Sequence, residues 1–466
     1  LVAANVEKLI IDENHLKVID ANIEVESIFI LGDTNVSLPE YVCQLGHCVD
    51  SDIETESPYP VNPGFADDTA MLIFTSGTTG LPKAVKITNR RWCLAALASA
   101  AGGNIKPRDT IYCCLPLYHS SAMLILVGGA VIGGSRLAIA PRFSMTSFWD
   151  DIRNYGVTVV GYIGELCRYL LNSPPGEKDT QHSVRLFMGN GMQKNVWEKI
   201  LQRFKPDRVL EFYASTEGNM ILANLTGKKV GSVGRPIYDP GRVVLIKYDA
   251  VNGKIIKDEK NKVIPCGNNE TGLLIARIDK SHPVGYFDGY INDDETQKTI
   301  LKDIFSPGDA WFVSGDLLKR DKDGDYWYVD RIGNTFRWKS ENISTTLVEN
   351  VLAELSFVSS VAVYGAKLPG REGRVGVAAL ELLPGKVFDG KALFNFIHAN
   401  LSKSAHPRVI RIVNKIKKTD TLRVIKYQLQ KEGLDPKKIQ DPLYLYEQDL
   451  KDYIPLMESD YPLKVD

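Results

Sequence analysis

The sequence lacks the cysteine spacing of a metal or disulfide framework. Its seven cysteines stand at 43, 48, 93, 113, 114, 167 and 266, an odd number with no CxxC pair. That speaks against a stapled secreted fold and a structural zinc site, and it fits a reducing compartment. The seven histidines are equally dispersed and form no HExxH, so the metalloprotease helix is missing. No GxSxG elbow is present, which removes the usual setting of a serine nucleophile. Paired carboxylates of the glycosidase kind cannot be picked out by spacing. An excess of one charge is lacking too. Lys and Arg number 56 against 57 Asp and Glu, a net charge of -1, without the footprint of a nucleic-acid binder.

Long hydrophobic runs are also scarce. The longest uncharged window, residues 110–135, is 26 residues long and is broken by Pro116, His119, hydroxyls and glycines. Its strongly apolar part, residues 122–134, is 13 residues. That is short for a bilayer span and predicts a buried strand followed by a core helix. No signal peptide or transit segment is visible. The opening on Leu1, without methionine, is read as the expected start of a fragment, and an amino-terminal membrane anchor ahead of it is left open. The 466 residues suffice for two or three domains and at least one large core.

What is present begins with residues 71–83, MLIFTSGTTGLPK. The apolar run Met71, Leu72, Ile73, Phe74 predicts a buried strand that enters a loop of hydroxyls and glycines. Gly77 and Gly80 let the backbone turn and approach a ligand closely. Thr75, Ser76, Thr78 and Thr79, with the exposed N–H groups, can wrap an anion, and Lys83 adds a point charge. That chemistry suits a polyphosphate. The spacing is not GxxxxGK[ST], so this is not the phosphate loop of ATPases and GTPases. The plainer alternative is a Ser/Thr/Gly surface turn.

Residues 1–60 read as alternating strand and helix, ending in an acidic, proline-containing linker. Beyond the loop, strand and helix alternate regularly. Helices are predicted at 89–101, from Ser121, at 144–155, through Leu171 and at 196–204. Strands are predicted at 111–117, 136–140, 157–163, 184–191 and 209–213. Continuously apolar strands in this order predict a mainly parallel sheet covered on both faces. In such sheets ligands lie beyond the carboxyl ends of the strands, here near 75, 119, 163, 190 and 215. Between about 230 and 330, short alternating segments predict a smaller antiparallel or barrel-like unit. After Arg331 a helix at 346–355, strands at 358–366 and 376–382, and a helix at 388–401 predict a compact α+β domain. Residues 408–438 carry ten Lys or Arg against three Asp or Glu, either a solvated face or a platform for a polyanionic cosubstrate.

Several residues can carry chemistry. Glu217, in EFYASTEGN, lies beyond a predicted strand end, where one carboxylate can hold Mg²⁺. Tyr213 can stack on a base. Both also admit plain readings, a surface glutamate and a core tyrosine. Asp316 follows the predicted strand 311–313 and can accept two ribose hydroxyls, although Gly-Asp pairs are ordinary turn residues. Arg331 and Gly333 sit at the domain boundary, where an ion pair and a turn would account for them. His119 reads either as a hydrogen-bonded core histidine or as the mouth of an apolar tunnel.

Taken together, TSGTTGLPK, LPLYHSSAM, TVVGYIGELCRYLL, RLFMGNGM, EFYASTEGN and DRIGNTFRWKSENISTT resemble the adenylate-forming superfamily of acyl-CoA synthetases, luciferases and peptide-synthetase adenylation domains. Within it they resemble the very long-chain acyl-CoA synthetase and fatty acid transport protein family. The resemblance runs from about residue 20 to about residue 450 and implies a membrane-associated segment before Leu1. It implies an α/β large domain at 1–330 with parallel sheets covered by helices, including the barrel-like unit, a hinge at 331–333, and a small mobile α+β domain at 334–466.

The implied activity is ATP- and Mg²⁺-dependent conversion of long- or very-long-chain fatty acids to acyl-CoA through an acyl-adenylate, coupled to uptake. The alternative is a weakly catalytic or non-catalytic lipid-binding protein; a third reading passes the acyl group to another acceptor. Membrane association would place the catalytic domains toward the cytosol, at the endoplasmic reticulum, plasma membrane or peroxisome. A homodimer is admitted, and no nucleic-acid partner is expected. By the resemblance, Thr75, Ser76, Gly77, Thr78, Thr79, Gly80 and Lys83 hold the β- and γ-phosphates of ATP. Gly189, Asn190, Gly191 and Tyr213 frame adenine. Thr216 stands near the α-phosphate, Glu217 holds Mg²⁺, and Asp316 and Arg331 bind the ribose. His119 marks where tunnel and nucleotide meet, Gly333 is the hinge, and Trp338 and Ser340 lie on the coenzyme A route.

Three positions depart from the family pattern. Thr419-Asp420-Thr421-Leu422-Arg423 stands where TGTFK is expected, so Arg423 replaces the lysine that meets the carboxylate and α-phosphate. A planar fork is not a point charge. Lys417, Lys418 and Lys426 do not occupy that position. Ser340 replaces a glycine of FRWKGEN, and Asn334 replaces an aspartate beside the hinge.

Overall fold

The computed structural model describes residues 4, 6–13, 15, 25–31, 42–44, 64–76, 82–250, 252–338, 341–369, 373–419, 422 and 424–461. These fall into two compact units, Leu1–Trp92 with Asp288–Gln297, and Cys93–Phe287 with Lys298–Asp466.

In the first unit, strands Lys8–Asp12, Ser27–Leu31 and Val42–Gln44 form a parallel sheet. Alternation in Ser27–Leu31 buries Ile28 and Ile30 on one face. The helices expected within 1–60 and the acidic linker fall mainly outside the described residues. Strand Thr69–Ser76 folds back on Pro82–Thr88 as an antiparallel hairpin, with Ile73 opposite Val85 and Thr75 opposite Lys83. The expected fully buried strand is half-buried instead. Ile73 is in the core, whereas Phe74 is 45% exposed, because an antiparallel ribbon can leave one face in water.

The second unit is built on a seven-stranded sheet. In spatial order its strands are Arg235–Pro236, Leu222–Asn224, Arg208–Tyr213, Leu186–Asn190, Val159–Ile163, Thr110–Cys113 and Arg136–Ile139. The five from Arg208–Tyr213 to Arg136–Ile139 are parallel, and the two beyond Arg208–Tyr213 are antiparallel. Thr110–Cys113 and Val159–Ile163 are buried throughout, as strands covered on both faces must be. Helices Phe148–Asn154 and Lys194–Phe204 contribute Phe148, Trp197 and Phe204 to the core against Tyr112 and Phe187. The apolar stretch 121–133 is a π-helical segment, Ser121–Val127, continuing as helix Gly128–Gly133. No helix among the described residues is long and apolar enough to cross a membrane.

The antiparallel unit predicted near 230–330 is a five-stranded sheet. Its long strand Ala310–Arg320 pairs with Thr271–Arg277 on one side, and with Ile300–Lys302 and Tyr326–Arg331 on the other. The carboxyl-terminal region carries helices Thr345–Leu352 and Gly390–Asn400. Its own five-stranded sheet runs in the order Val358–Ala366, Val375–Leu382, Val409–Val413, Leu443–Glu447 and Asp452–Pro455. Both helices start on side-chain caps. Ser344 accepts from the Leu347 N–H and Asp389 from the Ala392 N–H.

Candidate active site

Lys83 lies on the second arm of the hairpin, and its ammonium pairs with Glu295 of helix Asp293–Gln297 while lying 5.7 Å from the Tyr290 ring centroid. Thr75 donates its hydroxyl to the Lys83 carbonyl at 3.4 Å. Gly77, Thr78, Thr79 and Gly80 fall outside the described residues, as does the side chain of Ser76. The partner Glu295 was not legible in the sequence; only the register of a distant segment could reveal it.

In the other unit, parallel pairing sets Ile163 beside Asn190 and Gly189 beside Glu211. Strand Leu186–Asn190 then turns sharply. Gly191 has φ +80°, and a Cβ on Gly164 would stand 1.8 Å from the Gly191 carbonyl oxygen. Only glycine permits that approach. Beneath the turn lies Glu211, 2% exposed. Its carboxylate accepts from the N–H groups of Gly191 and Met192, the latter at 3.2 Å, and from the hydroxyl of Tyr162. Burial pushes the Glu211 carboxyl up to about 8, against the three hydrogen bonds that favour its charged form. Asn190 has a buried Oδ1 without a hydrogen-bond partner among the described residues.

The neighbouring strand ends at Tyr213, whose hydroxyl donates to Asp316 at 2.7 Å. Asp316 does not follow its strand, as the sequence suggested, but lies inside it. Between Leu273, opposite Leu317, and Ile275, opposite Val313, the ladder shifts. Ser314, Gly315 and Asp316 therefore bulge against Leu274. Ser314 donates to the Leu274 carbonyl at 2.8 Å and accepts from the Asp316 N–H at 3.1 Å, and Gly315 takes φ +75°. Asp316 faces Arg331 directly across the next pair of strands, with Nη1 4.0 Å from its carboxylate. Burial pulls the Arg331 guanidinium down, but the charges of Asp316 and Glu217 outweigh it and raise its pKa. Burial, reinforced by Asp316, holds the Tyr213 phenol well above its usual range.

Thr216 shares a hydrogen bond with Ser120 at 2.9 Å, which joins EFYASTEGN to LPLYHSSAM. His119 is half-buried and accepts from the Ser121 N–H at 3.2 Å, and burial lowers its imidazole pKa. Thus Tyr213, Glu217, Asp316 and Arg331 form one neighbourhood, and Gly189, Asn190 and Gly191 a turn on the adjacent strand.

Past Arg331 the chain turns through Gly333, at φ +87° with open space where a Cβ would stand. The Asn334 N–H donates to the Arg331 carbonyl at 3.1 Å. The fully buried Asp330 accepts from the N–H and hydroxyl of Thr345, fixing the first helix of the carboxyl-terminal region. That region also rests on helix Gly164–Asn172. Lys418 bonds Glu165 at 2.7 Å and the Tyr169 hydroxyl at 2.6 Å, and Arg168 donates to the Ser359 carbonyl. Lys426 is held by Glu349 and Thr345, both at 2.7 Å. Trp338 is 7% exposed within the carboxyl-terminal core. Ser340 and Arg423 lie outside the described residues.

Two family models match this chain, AMP-binding enzyme over residues 4–281 and AMP-binding enzyme C-terminal domain over residues 347–422. Among curated relatives, the long-chain fatty acid transport protein 2 of Rattus norvegicus is 42% identical over 402 residues, 85% of this chain and 64% of the relative. The long-chain fatty acid transport protein 3 of Homo sapiens is 40% identical over 415 residues, 88% and 60%. The chain thus spans about three-fifths of the length of these relatives. Among solved structures, ATP-bound MatB from Rhodopseudomonas palustris aligns with TM-score 0.72 at 20% identity, over 91% of this chain and 78% of that one. The O-succinylbenzoate coenzyme A synthetase of Bacillus subtilis, in complex with ATP and magnesium ion, aligns with TM-score 0.65 at 24% identity, over 86% and 78%. At such identities the likeness is one of fold. On the matched models and the similarity to the fatty acid transport proteins, this chain belongs to the AMP-binding enzyme family.

Proposed function

We propose that the chain is a fatty acid–coenzyme A ligase that uses ATP and Mg²⁺ to activate long- or very-long-chain fatty acids through an acyl-adenylate, in support of their uptake. The observation that carries this reading is the Asp316 carboxylate, set by the bulge between the Tyr213 hydroxyl and Arg331. A carboxylate can accept from two vicinal hydroxyls, which suits a ribose. The unpartnered Asn190 Oδ1 suits the exocyclic amine of adenine.

Glu217 fits a magnesium ion of the kind bound through one carboxylate, phosphate oxygens and water. Among the described residues no cluster of three acidic, histidine or cysteine side chains would hold an ion by protein alone. When bound, the ion would neutralise charge on the phosphates. Lys83 and the hydroxyls of Thr75, Ser76, Thr78 and Thr79 would hold the β- and γ-phosphates, and Thr216 would stand beside the α-phosphate. For Lys83, phosphate would take the place of Glu295 as the anionic partner.

The fatty carboxylate attacks the α-phosphorus and the bond to pyrophosphate breaks. The thiol of coenzyme A then attacks the acyl carbon, giving the thioester and releasing AMP. No protein nucleophile is needed, in keeping with the missing GxSxG. The catalytic power would come from orientation and from charge stabilisation of the leaving pyrophosphate. His119 would face the apolar chain as a neutral imidazole, and Gly333 would absorb the backbone change of a domain rotation between half-reactions. Trp338 and Ser340 would border the thiol's route. Membrane association is part of the proposal and rests on the resemblance to transport proteins.

Arg423 favours a second reading, a lipid-binding protein with a slow adenylation step, since its fork replaces a lysine point charge. One assay separates the two. AMP and acyl-CoA are measured with fatty acids from medium to very long chain, with coenzyme A omitted in parallel. Ligase activity gives AMP and acyl-CoA in equal amounts; fatty-acid binding without AMP would overturn the lead reading.

A further inference from the structure

The turn that carries Asn190 is held from below by Glu211, to which the resemblance assigns no role. We infer that Glu211 is the positioning residue of the base subsite, and that it gives the chain its preference for adenine over guanine. The inference rests on the nucleotide reading above. Glu211 touches no proposed substrate atom and acts through the turn it anchors.

The argument is one of cost and geometry. A carboxylate 2% exposed in the centre of a sheet is an expensive way to fill space; a leucine would pack there without the desolvation penalty. What a leucine could not do is accept. The Gly191 and Met192 N–H groups point inward from the turn, and Glu211 takes both, while Tyr162 of strand Val159–Ile163 holds the second carboxylate oxygen from the other side. The turn has little freedom left. Gly191 is in a left-handed conformation, and Gly164 lies so close that a methyl group there would clash with its carbonyl. With the N–H groups of residues 191 and 192 fixed, the orientation of the preceding residue is fixed too. That residue is Asn190, whose Oδ1 is buried and unpartnered.

An acceptor atom fixed in this way discriminates between bases. Adenine presents an exocyclic amine where guanine presents a carbonyl oxygen, so a stationary acceptor bonds the first and opposes the second. An acceptor on a loose turn would swing away and tolerate both. Sites built to hydrogen-bond a substrate group reject analogues lacking it far better than apolar sites do, provided the site cannot relax. Glu211 supplies that condition.

The test is equilibrium binding of unmodified ATP and of unmodified GTP, measured by calorimetry, to the full chain without fatty acid. Glu211→Ala is expected to lose about tenfold or more in ATP affinity, the scale of one lost buried hydrogen bond. GTP affinity should change little, so the base preference collapses. Glu211→Gln should restore the preference, because its carbonyl accepts from the two N–H groups and its amide can donate to the Tyr162 oxygen. A merely structural role would lower both affinities together and leave their ratio intact. Should Glu211→Ala not fold, Tyr162→Phe carries the test, since it keeps the ring and deletes only the hydroxyl that steadies the carboxylate. A fall of about threefold in the ATP-to-GTP ratio is expected there, from a weaker neutral donor. An unchanged ratio in whichever of these variants folds overturns the inference. A wild-type chain that binds neither nucleotide overturns the functional reading instead, so the two failures are distinguishable.

Discussion

Tyr213 and Asp316 are 103 positions apart in sequence and come from different sheets, yet the phenolic hydroxyl donates to the carboxylate at 2.7 Å. The bond ties the carboxyl end of a parallel strand to the bulge of an antiparallel one. It places the proposed base-facing ring and the proposed ribose acceptor in fixed relation.

Removing the acceptor should therefore act on the sugar. Asp316→Ala is expected to weaken ATP binding by about 1.5–3 kcal/mol, the range for hydrogen bonds to a charged group. The preference for ATP over 2′-deoxy-ATP should vanish, while Tyr213→Phe should keep part of it. Competition binding with the two nucleotides decides; an undiminished preference in Asp316→Ala removes the ribose role.

Glu211 carries a pH signature. Its folded pKa, about 8, lies above the ordinary value of 4.5. The folded chain then holds a proton that the unfolded chain has released. This contribution is fully present below about 4.5 and is lost as pH rises through about 8. Among the described residues, Tyr162 and Cys167 are titratable neighbours coupled to it from packed elements, themselves raised by burial. Urea midpoints measured across this window should fall more steeply with rising pH in the wild type than in Glu211→Gln. Parallel curves would contradict the assignment.

The contact of Lys418 with Glu165 and Tyr169 predicts a docking effect. Burial raises the Glu165 carboxyl, but Arg168 and Lys418 outweigh it, so its pKa is lowered. The linked stability is present above the ordinary value of 4.5 and is lost as pH falls through the lower folded value. Lys418→Ala should weaken docking by about 1–3 kcal/mol, since two bonds are lost while Arg168 still pairs with Glu165. Energy transfer between labels on helix Gly164–Asn172 and strand Leu443–Glu447 should report a larger undocked population. The same transfer efficiency in both proteins would exclude this role.

Arg423 predicts a slowed first half-reaction. Arg423→Lys should increase pyrophosphate release with fatty acid in the absence of coenzyme A, because a compact ammonium can approach carboxylate and α-phosphate together. An unchanged rate would sink the idea.

The parallel sheet was legible because strands covered on both faces are continuously apolar. The runs around 159–163 and 209–213 could be little else, and each stops at a glycine, hydroxyl or polar turn. Tyr213 and Arg331 were legible as residue types at strand ends, whereas Asp316 was expected just past its strand and lies inside it. Their mutual geometry was not, since it depends on register between segments far apart in sequence. Glu295 against Lys83 and Lys418 against Glu165 escaped for that reason. Glu211 escaped for another. In EFYASTEGN its carboxylate is eclipsed by Glu217, and nothing local separates a glutamate aimed into the sheet from one aimed at solvent.

The bulge at Ser314–Asp316 makes spacing, rather than identity alone, a constraint on this protein. Side chains along a strand alternate faces, so removing one of the three bulged residues would turn every later side chain of Ala310–Arg320 to the opposite side. A deletion there would strip the aspartate from Tyr213 and put Leu317 and Leu318 out of phase with their core partners at once. Point substitutions in this strand should be graded in effect, whereas a change of length should be all or nothing.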